Sequence, residues 1–468
     1  MTLGKDAMHV PVVVVGGGAA GLVAALAARN AGAEVLVLER DPVPRGSTAL
    51  SAGLVPAPGT RWQAAAGVED TAEGFAADIM AKSGGTADPV LVRTVAAAVG
   101  PALEWLGERH GLAFSVITDF RYPGHSAFRM HGLPSRSGVE LVDALRAAAE
   151  AAEATILCDA LVTELVVEDG AVRGLRFARP DGSAEGVRCD ALVLACNGYG
   201  GNKELVRTHI PAMADALYFG HVGNQGDALR WGMALGAETR DLSGHQGHGS
   251  VAHPAGVLIT WATITEGGIQ VNRDGKRFSD EAHGYSEQAA RVLEQPGGIA
   301  WTVFDGRIAA IARQFEDFRQ AEAIGAVLSA GDLAELAALM AVSAEALRSE
   351  LAEADRLRAS CGSDRFGRVF AGTVPLQAPF RAVRVTGALF HTQGGLAVDA
   401  MARVLRPDGG IIPGLFAAGG AAAGVSGPRA EGYLSGNGLL TAVALGRIAG
   451  LEAADLASTS SGAGLLGS

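Results

Sequence analysis

Cysteine is scarce in this chain of 468 residues: Cys158, Cys189, Cys196 and Cys361 are the whole complement, and no two form a C-x-x-C pair. The spacing offers neither a disulfide framework nor a metal site, and there is no C-x-x-C-H signature for haem or cysteine cluster for iron–sulfur. Any electrons the protein handles therefore leave to something outside the chain. The thiols read as buried and reduced, which points to a cytoplasmic setting. Long basic runs are missing too, and the formal net charge is −12 at pH 7. That argues against a nucleic-acid partner and for a neutral or locally steered small molecule. The opening residues, MTLGKDAMHV, hold no apolar signal core. The apolar run 10–15 is cut at once by glycine, and no other stretch reads as long and apolar enough to span a membrane. Aromatic residues are 5% of the chain, with only five tyrosines, so a tyrosine at a reactive position carries weight.

What is present is globular: 49% hydrophobic and 19% charged residues, very rich in alanine and glycine. The length predicts two or three domains. Helical periodicity covers 22–31, 85–112, 138–153 and 227–236, and two more helical segments fill 332–358, with Asp332 and Ser343 as N-caps. Strands are expected at 12–15, 35–38, 161–167, 174–178, 191–195, 257–265 and 268–271, the turn 168–170 joining 161–167 to 174–178. Short strands and glycine loops resume from Gly394 and end in a helix over 438–451. No internal repeat is visible. The pattern predicts an α/β nucleotide-binding domain over 1–240, an inserted α+β capping domain over 241–391, a returning piece over 392–455, and a flexible Ser/Gly-rich tail over 456–468.

The most specific local signal is the loop Gly16-Gly17-Gly18-Ala19-Ala20-Gly21, which follows a strand, opens a helix and has Glu39 at the end of the next strand. Gly16, Gly18 and Gly21 fit G-x-G-x-x-G. The first two let the backbone turn tightly and approach a pyrophosphate, which then faces free N–H groups and the positive end of the helix dipole. Gly21 lets the helix lie close to the strand, and the Glu39 carboxylate can accept hydrogen bonds from a ribose. This reads as a dinucleotide site and leaves NAD, NADP and FAD open.

Eight pieces, in order, carry a wider resemblance: residues 12–28, 45–54, 191–202, 224–237, 268–281 (GIQVNRDGKRFSDE), 390–399 (FHTQGGLAVD), 412–420 and 432–450 (GYLSGNGLLTAVALGRIAG). Together they resemble the FAD-dependent superfamily of soluble fumarate reductases, succinate dehydrogenase flavoproteins and 3-oxosteroid 1-dehydrogenases. The resemblance implies a Rossmann-like, glutathione-reductase-type FAD domain with its inserted cap, and FAD as the resident cofactor. It places Gly16, Gly18, Ala20, Gly21, Glu39 and Arg40 on the ADP half. Ser47, Thr48, Ser51 and Gly53 fall in the loop passing the flavin and pyrophosphate, and Val162 at the adenine. Asn197, Gly198, Asp227 and Gly419 are further cofactor contacts, Asp227 being equally readable as a helix N-cap. Ser435, Gly436, Asn437 and Leu439 meet the pyrimidine edge, where a glycine-rich helix start favours the negative charge of reduced flavin. Ser47 stands where some relatives carry a flavin-linked histidine, so the FAD is expected to be non-covalent.

Within the superfamily, fumarate reductases grip a dicarboxylate with arginines and histidines. Four residues past Glu281, where their proton-donating arginine falls, this chain has Tyr285; at the second arginine position it has Tyr433. The E-x-x-x-Y spacing instead resembles the 3-oxosteroid dehydrogenases, whose base is a tyrosine there. The implied chemistry is removal of a proton alpha to a ketone by Tyr285 and of a hydride to the flavin, with Tyr433 and Gly436 polarising the ketone oxygen. Tyr433 sits about one residue from where the steroid enzymes place theirs. His391 in H-T-x-G-G, His248, Arg429 and Tyr122 are candidate substrate contacts, and together they suggest a cyclic ketone or keto acid. The histidines of 245–253 lack the spacing of a metal site. Electrons would leave to a quinone, another flavoprotein or oxygen. The competing expectations are an enoate or fumarate-type reductase with His391 and Arg429 on a carboxylate, and an electron-transfer subunit without substrate. Candidate catalytic residues in a capping insert argue against the last.

Overall fold

The computed structural model describes Leu3 and residues 7–465, with side chains through Ser460. The chain divides into two compact units. Met1–Leu205, Gly220–His245 and His391–Ser468 form the first, and Val206–Phe219 with Gln246–Phe390 forms the second.

The first unit is built on a six-stranded sheet in the order Arg403–Leu405, Ile411–Ala417, Ala191–Leu194, Val12–Val15, Val35–Leu38, Thr155–Leu157. All neighbours are parallel except the edge pair Arg403–Leu405 with Ile411–Ala417. The runs VVVV, VLVL and ALVL are buried along their whole length, as expected of strands covered on both faces. Helix Ala19–Asn30 packs against the last helix, Asn437–Leu465. The approach is close because the last helix presents glycine: a Cβ on Gly446 would lie 2.6 Å from the Ala20 carbonyl oxygen, and one on Gly450 would lie 2.2 Å from that of Ala24. A second sheet in the order Met8–His9, Ala184–Arg188, Ala171–Ala178, Leu161–Glu168 carries the hairpin whose turn is Asp169 and Gly170, both at positive φ.

The second unit centres on strand Phe380–Thr392, whose last two residues belong to the first unit. Its sheet runs Val257–Leu258, His245–Ala252, Phe380–Thr392, Ile299–Asp305, Ile269–Val271. Successive residues alternate between two cores: Phe304, Val383 and Val385 pack with Ile308 and Phe318, whereas Val303 and Ala382 pack with Leu336, Leu347 and Phe370. Helices Leu333–Met340 and Ala344–Ser360 start at the expected caps, Asp332 accepting from the N–H groups of Ala334 and Glu335 and Ser343 from that of Ala346.

Several expectations change. Of 257–265 only Val257–Leu258 is strand, and Ala262–Thr265 is a short helix. The last helix runs on to Leu465 instead of stopping near Leu451; residues 466–468 of the expected tail lie outside the described residues. All four cysteines are free, but only Cys189 is buried and Cys361 is exposed at a helix C-terminus. Helix Pro89–His110, contrary to expectation, is long and apolar enough to cross a membrane; half of its most apolar stretch is buried inside the protein.

Candidate functional site

In the first unit the nucleotide loop has the geometry its glycines imply. Gly16 sits at φ +107°, and a Cβ on Gly21 would stand 1.9 Å from the Gly16 carbonyl oxygen, so helix and loop cannot approach this closely with any larger residue. A Cβ on Gly18, the helix N-cap, would meet only the Thr48 hydroxyl at 3.4 Å, leaving the dipole end open. Gly17 N–H donates to Glu39 Oε2 (2.7 Å) and Asp41 N–H to Oε1 (3.0 Å). Burial pushes the Glu39 carboxyl up from its ordinary value, and these two N–H donors oppose the shift. Gly21→Ala is expected to keep soluble protein but weaken FAD retention at least about tenfold, read as the flavin-to-protein ratio after gel filtration.

The other predicted cofactor residues spread around this loop. Thr48 Oγ1 accepts from Ala19 N–H (3.0 Å), and Ser47 Oγ accepts from His221 N–H (3.1 Å) and the Asn224 amide (2.9 Å). Ser51 and Gly53 form the turn that follows, with Gly53 N–H donating to Ser51 Oγ (3.1 Å). Arg40 donates to the Gly223 carbonyl (2.8 Å). Val162 is buried two residues beyond Ala160, whose N–H bonds the Glu39 carbonyl. Asp227 is the first helical residue, not the N-cap, and pairs with Arg230 (2.7 Å). Ala20 and Gly419 pack toward each other: a Cβ on Gly419 would lie 2.9 Å from that of Ala20. Asn197 adopts φ +65° and caps Gly198 N–H at 2.8 Å.

At the start of the last helix Asn437 is fully buried. Its Nδ2 donates to Ser426 Oγ (2.9 Å), Ser426 donates to Gln393 Oε1 (2.9 Å), and Gln393 Nε2 meets His391 Nδ1 at 2.8 Å. Asn437 Oδ1 has no hydrogen-bond partner among the described residues. A Cβ on Gly438 would touch nothing within 4 Å, and Leu439 is half-buried. An orphaned acceptor beside open space at a helix N-terminus fits the N–H-bearing pyrimidine edge of a flavin, as the open dipole end at Gly18 fits its pyrophosphate.

Tyr433 is buried, and desolvation raises its hydroxyl well above the usual tyrosine range; the Gly436 N–H donates to that hydroxyl and opposes the shift. Tyr122 lies near enough to raise it further and is itself raised by burial. The fold thus brings Tyr433, Gly436 and Tyr122 together. Arg429 caps the turn Ala430–Gly432 that leads into Tyr433, and it is exposed. Below this group stands a cluster absent from the sequence reading. Arg129 is buried and bonds both Asp70 oxygens (2.7 and 2.8 Å) and Asp78, and its Nη1 faces His125 Nδ1 at 3.3 Å. His125 Nε2 in turn reaches the Ser435 carbonyl (3.0 Å), tying the cluster to the segment that leads into the last helix.

In the second unit Tyr285 is the first residue of helix Tyr285–Leu293, where free N–H groups favour negative charge. Its ring stacks on His248 (centroids 5.0 Å, 27°) and meets Trp261 edge-on at 6.2 Å; His248 also stacks on Phe390 at 5.4 Å. Ser250 N–H donates to His248 Nδ1 (3.2 Å), and burial holds this imidazole neutral with a pKa of about 3. The approach to Tyr285 is braced by Glu281, buried between two arginines. Arg277 bonds both of its oxygens (2.9 and 2.6 Å), Arg368 reaches it at 2.7 Å, and Arg277 also pairs with Asp364. Trp261, Phe390, Arg368 and Asp364 carry no local signal, because each is brought in from a distant segment.

A family profile described as FAD binding domain matches residues 11–439. A probable fumarate reductase of Shewanella frigidimarina is 33% identical over 95% of this chain and 74% of its own length. A 4-oxocyclohexanecarboxylate 2-dehydrogenase of Sinomonas cyclohexanicum is 28% identical, covering 91% of this chain and 92% of itself. Among solved structures, the open conformation of a flavocytochrome c3 fumarate reductase matches with a TM-score of 0.82 at 31% identity, over 97% of this chain and 79% of that one. The 3-ketosteroid-Δ4-(5α)-dehydrogenase of Rhodococcus jostii, in complex with 4-androstene-3,17-dione, matches with a TM-score of 0.77 at 26% identity, over 97% of this chain and 98% of that one. The chain therefore belongs to the FAD binding domain family and is an FAD-dependent oxidoreductase acting on carbon–carbon bonds.

Proposed function

We propose that this oxidoreductase is a ketone dehydrogenase, introducing a C=C bond alpha,beta to the carbonyl of a cyclic ketone or keto acid. The observation that carries the reading is the absence, among the described residues, of an uncommitted buried cation. The buried arginines among the described residues are Arg129, Arg277 and Arg368, and each is paired with carboxylates. His248 and His391 are held neutral by burial, at about 3 and about 4. A dicarboxylate would bring two negative charges to groups that offer only neutral donors, which is costly away from water. A ketone brings none and a keto acid only one, on the group remote from the reacting carbonyl.

Tyr285 takes the proton from the carbon alpha to the carbonyl. Tyr433 donates its hydroxyl hydrogen to the carbonyl oxygen while accepting from Gly436 N–H, so the developing enolate meets a polarised donor. His391 contributes a further donor to a substrate oxygen. Bound FAD supplies the hydride acceptor. The similarity to a dehydrogenase of 4-oxocyclohexanecarboxylate, over nine-tenths of both chains, supports a compact keto acid. The second reading, an enoate or fumarate-type reductase, draws support from the 33% identity to a probable fumarate reductase. It needs Arg429 on the substrate carboxylate, and the exposure of that side chain weighs against it.

The two readings separate anaerobically. Oxidised enzyme mixed with a panel of saturated cyclic ketones and keto acids is expected to lose its flavin absorption band. If none bleaches it, and dithionite-reduced enzyme is instead reoxidised by fumarate or another enoate, the dehydrogenase reading fails.

A further inference from the structure

The first unit holds a chain of four buried or half-buried polar side chains, Asn437, Ser426, Gln393 and His391, of which the reading above uses only His391. Each link has one donor. Asn437 Nδ2 gives a hydrogen to Ser426 Oγ, Ser426 O–H gives its own to Gln393 Oε1, and this leaves Gln393 Nε2 as the group facing His391 Nδ1. An amide N–H₂ only donates, so Nδ1 accepts and the imidazole proton sits on Nε2. The far end has the matching property: Asn437 Oδ1 is a buried acceptor without a partner among the described residues, at the helix start where a flavin's N–H fits. Reversing all the links would turn Asn437 around, present N–H₂ at that end and move the proton of His391 to Nδ1.

We propose that Gln393 is a positioning residue which, with Ser426, sets His391 as the Nε2–H tautomer and so makes it an obligate hydrogen-bond donor to substrate oxygen. The donor role at substrate rests on the ketone reading above; the tautomer does not. The relay explains why a histidine next to a glutamine can serve a neutral carbonyl: it presents one N–H of fixed direction and no charge. The room for this ring depends on Gly420, where a Cβ would stand 2.9 Å from His391 Nε2 and 2.1 Å from Asn197 Oδ1.

The test uses the FAD-loaded enzyme and reads the two ring nitrogens of His391 by heteronuclear NMR, its signals assigned by their loss in His391→Gln. The expected wild-type pattern is a protonated Nε2 and an unprotonated Nδ1. Gln393→Glu is close in shape and still accepts from Ser426, but offers His391 only acceptor oxygens, so Nδ1 is expected to become protonated. The same variant is expected to raise KM for the ketone about tenfold with a smaller change in kcat. Ser426→Ala, which leaves Gln393 free to rotate, is expected to give averaged signals from both tautomers. A wild-type ring protonated at Nδ1, or a pattern unchanged in both variants, overturns the proposal. An unchanged KM beside the expected NMR shifts overturns only the donor role, and with it His391's part in the ketone reading.

Discussion

Phenylalanine at position 285 is expected to slow anaerobic bleaching of the flavin band by a saturated ketone about 10³- to 10⁴-fold, the range by which a positioned general base accelerates proton transfer. The change removes one oxygen and keeps the ring. The stack on His248 at 5.0 Å and the edge contact with Trp261 at 6.2 Å are contacts of the ring itself. The bracing of the preceding loop by Arg277, Glu281 and Arg368 does not involve the hydroxyl, and the nucleotide loop belongs to the other unit. Flavin content and unfolding midpoint should therefore stay near those of the wild type while the rate collapses. The neighbouring histidine is not an alternative base. With a pKa of about 3, His248 has too little proton affinity at neutral pH to take a hydrogen from carbon. Retention of most of the rate by Tyr285→Phe would remove the tyrosine from the mechanism.

The parts of the molecule that could be read in advance are those whose physics is local. Gly16 and Gly21 are five residues apart, and the close approach that requires them is made within that stretch. Asp332 and Ser343 cap the helices they immediately precede. Tyr285 was placed by counting from Glu281, and both sit on one continuous segment. The structure adds what counting cannot supply. The Asp70 and Asp78 partners of Arg129 come from 59 and 51 residues away, and Asp364 reaches Arg277 across 87. Gln393 occupies the variable position of H-T-x-G-G; its role appears only once Ser426 and Asn437 are folded against it. Two misreadings have plain causes. The apolar run 257–265 is too short for its period to separate strand from helix. The Ser/Gly-rich end continues as helix to Leu465 because adding a residue to an already formed helix costs far less than starting one.

Acidification below about pH 6.5 is expected to destabilise the protein by on the order of 5 kcal/mol by about pH 5, a loss comparable to the whole stability of many domains. Of the four histidines buried below a tenth of their surface, His245 is lowered by burial and acts in the same direction, and the other three, His125, His131 and His248, fix the scale. Desolvation holds them at about 4, about 4 and about 3, against an ordinary value of 6.5. Their folded values lie below the unfolded one, so between the two the unfolded chain binds protons that the native state refuses. Stability is therefore full above pH 6.5 and falls as pH drops, with a slope of at least three protons, or about 4 kcal/mol per pH unit, to which His245 and His391 add. The paired carboxylates Asp78, Glu281 and Asp364 lie below the ordinary carboxylate range, so they act in the same direction but only at lower pH. Urea titrations at successive pH values give the slope directly, and a flat profile between about pH 7 and pH 5 would refute the assignment. His131→Gln isolates one contribution: the ring accepts from Thr60 and donates to the Arg129 carbonyl, 2.8 Å from each, and an amide offers the same two functions without titrating. That variant should lose about one proton from the slope while remaining folded at neutral pH.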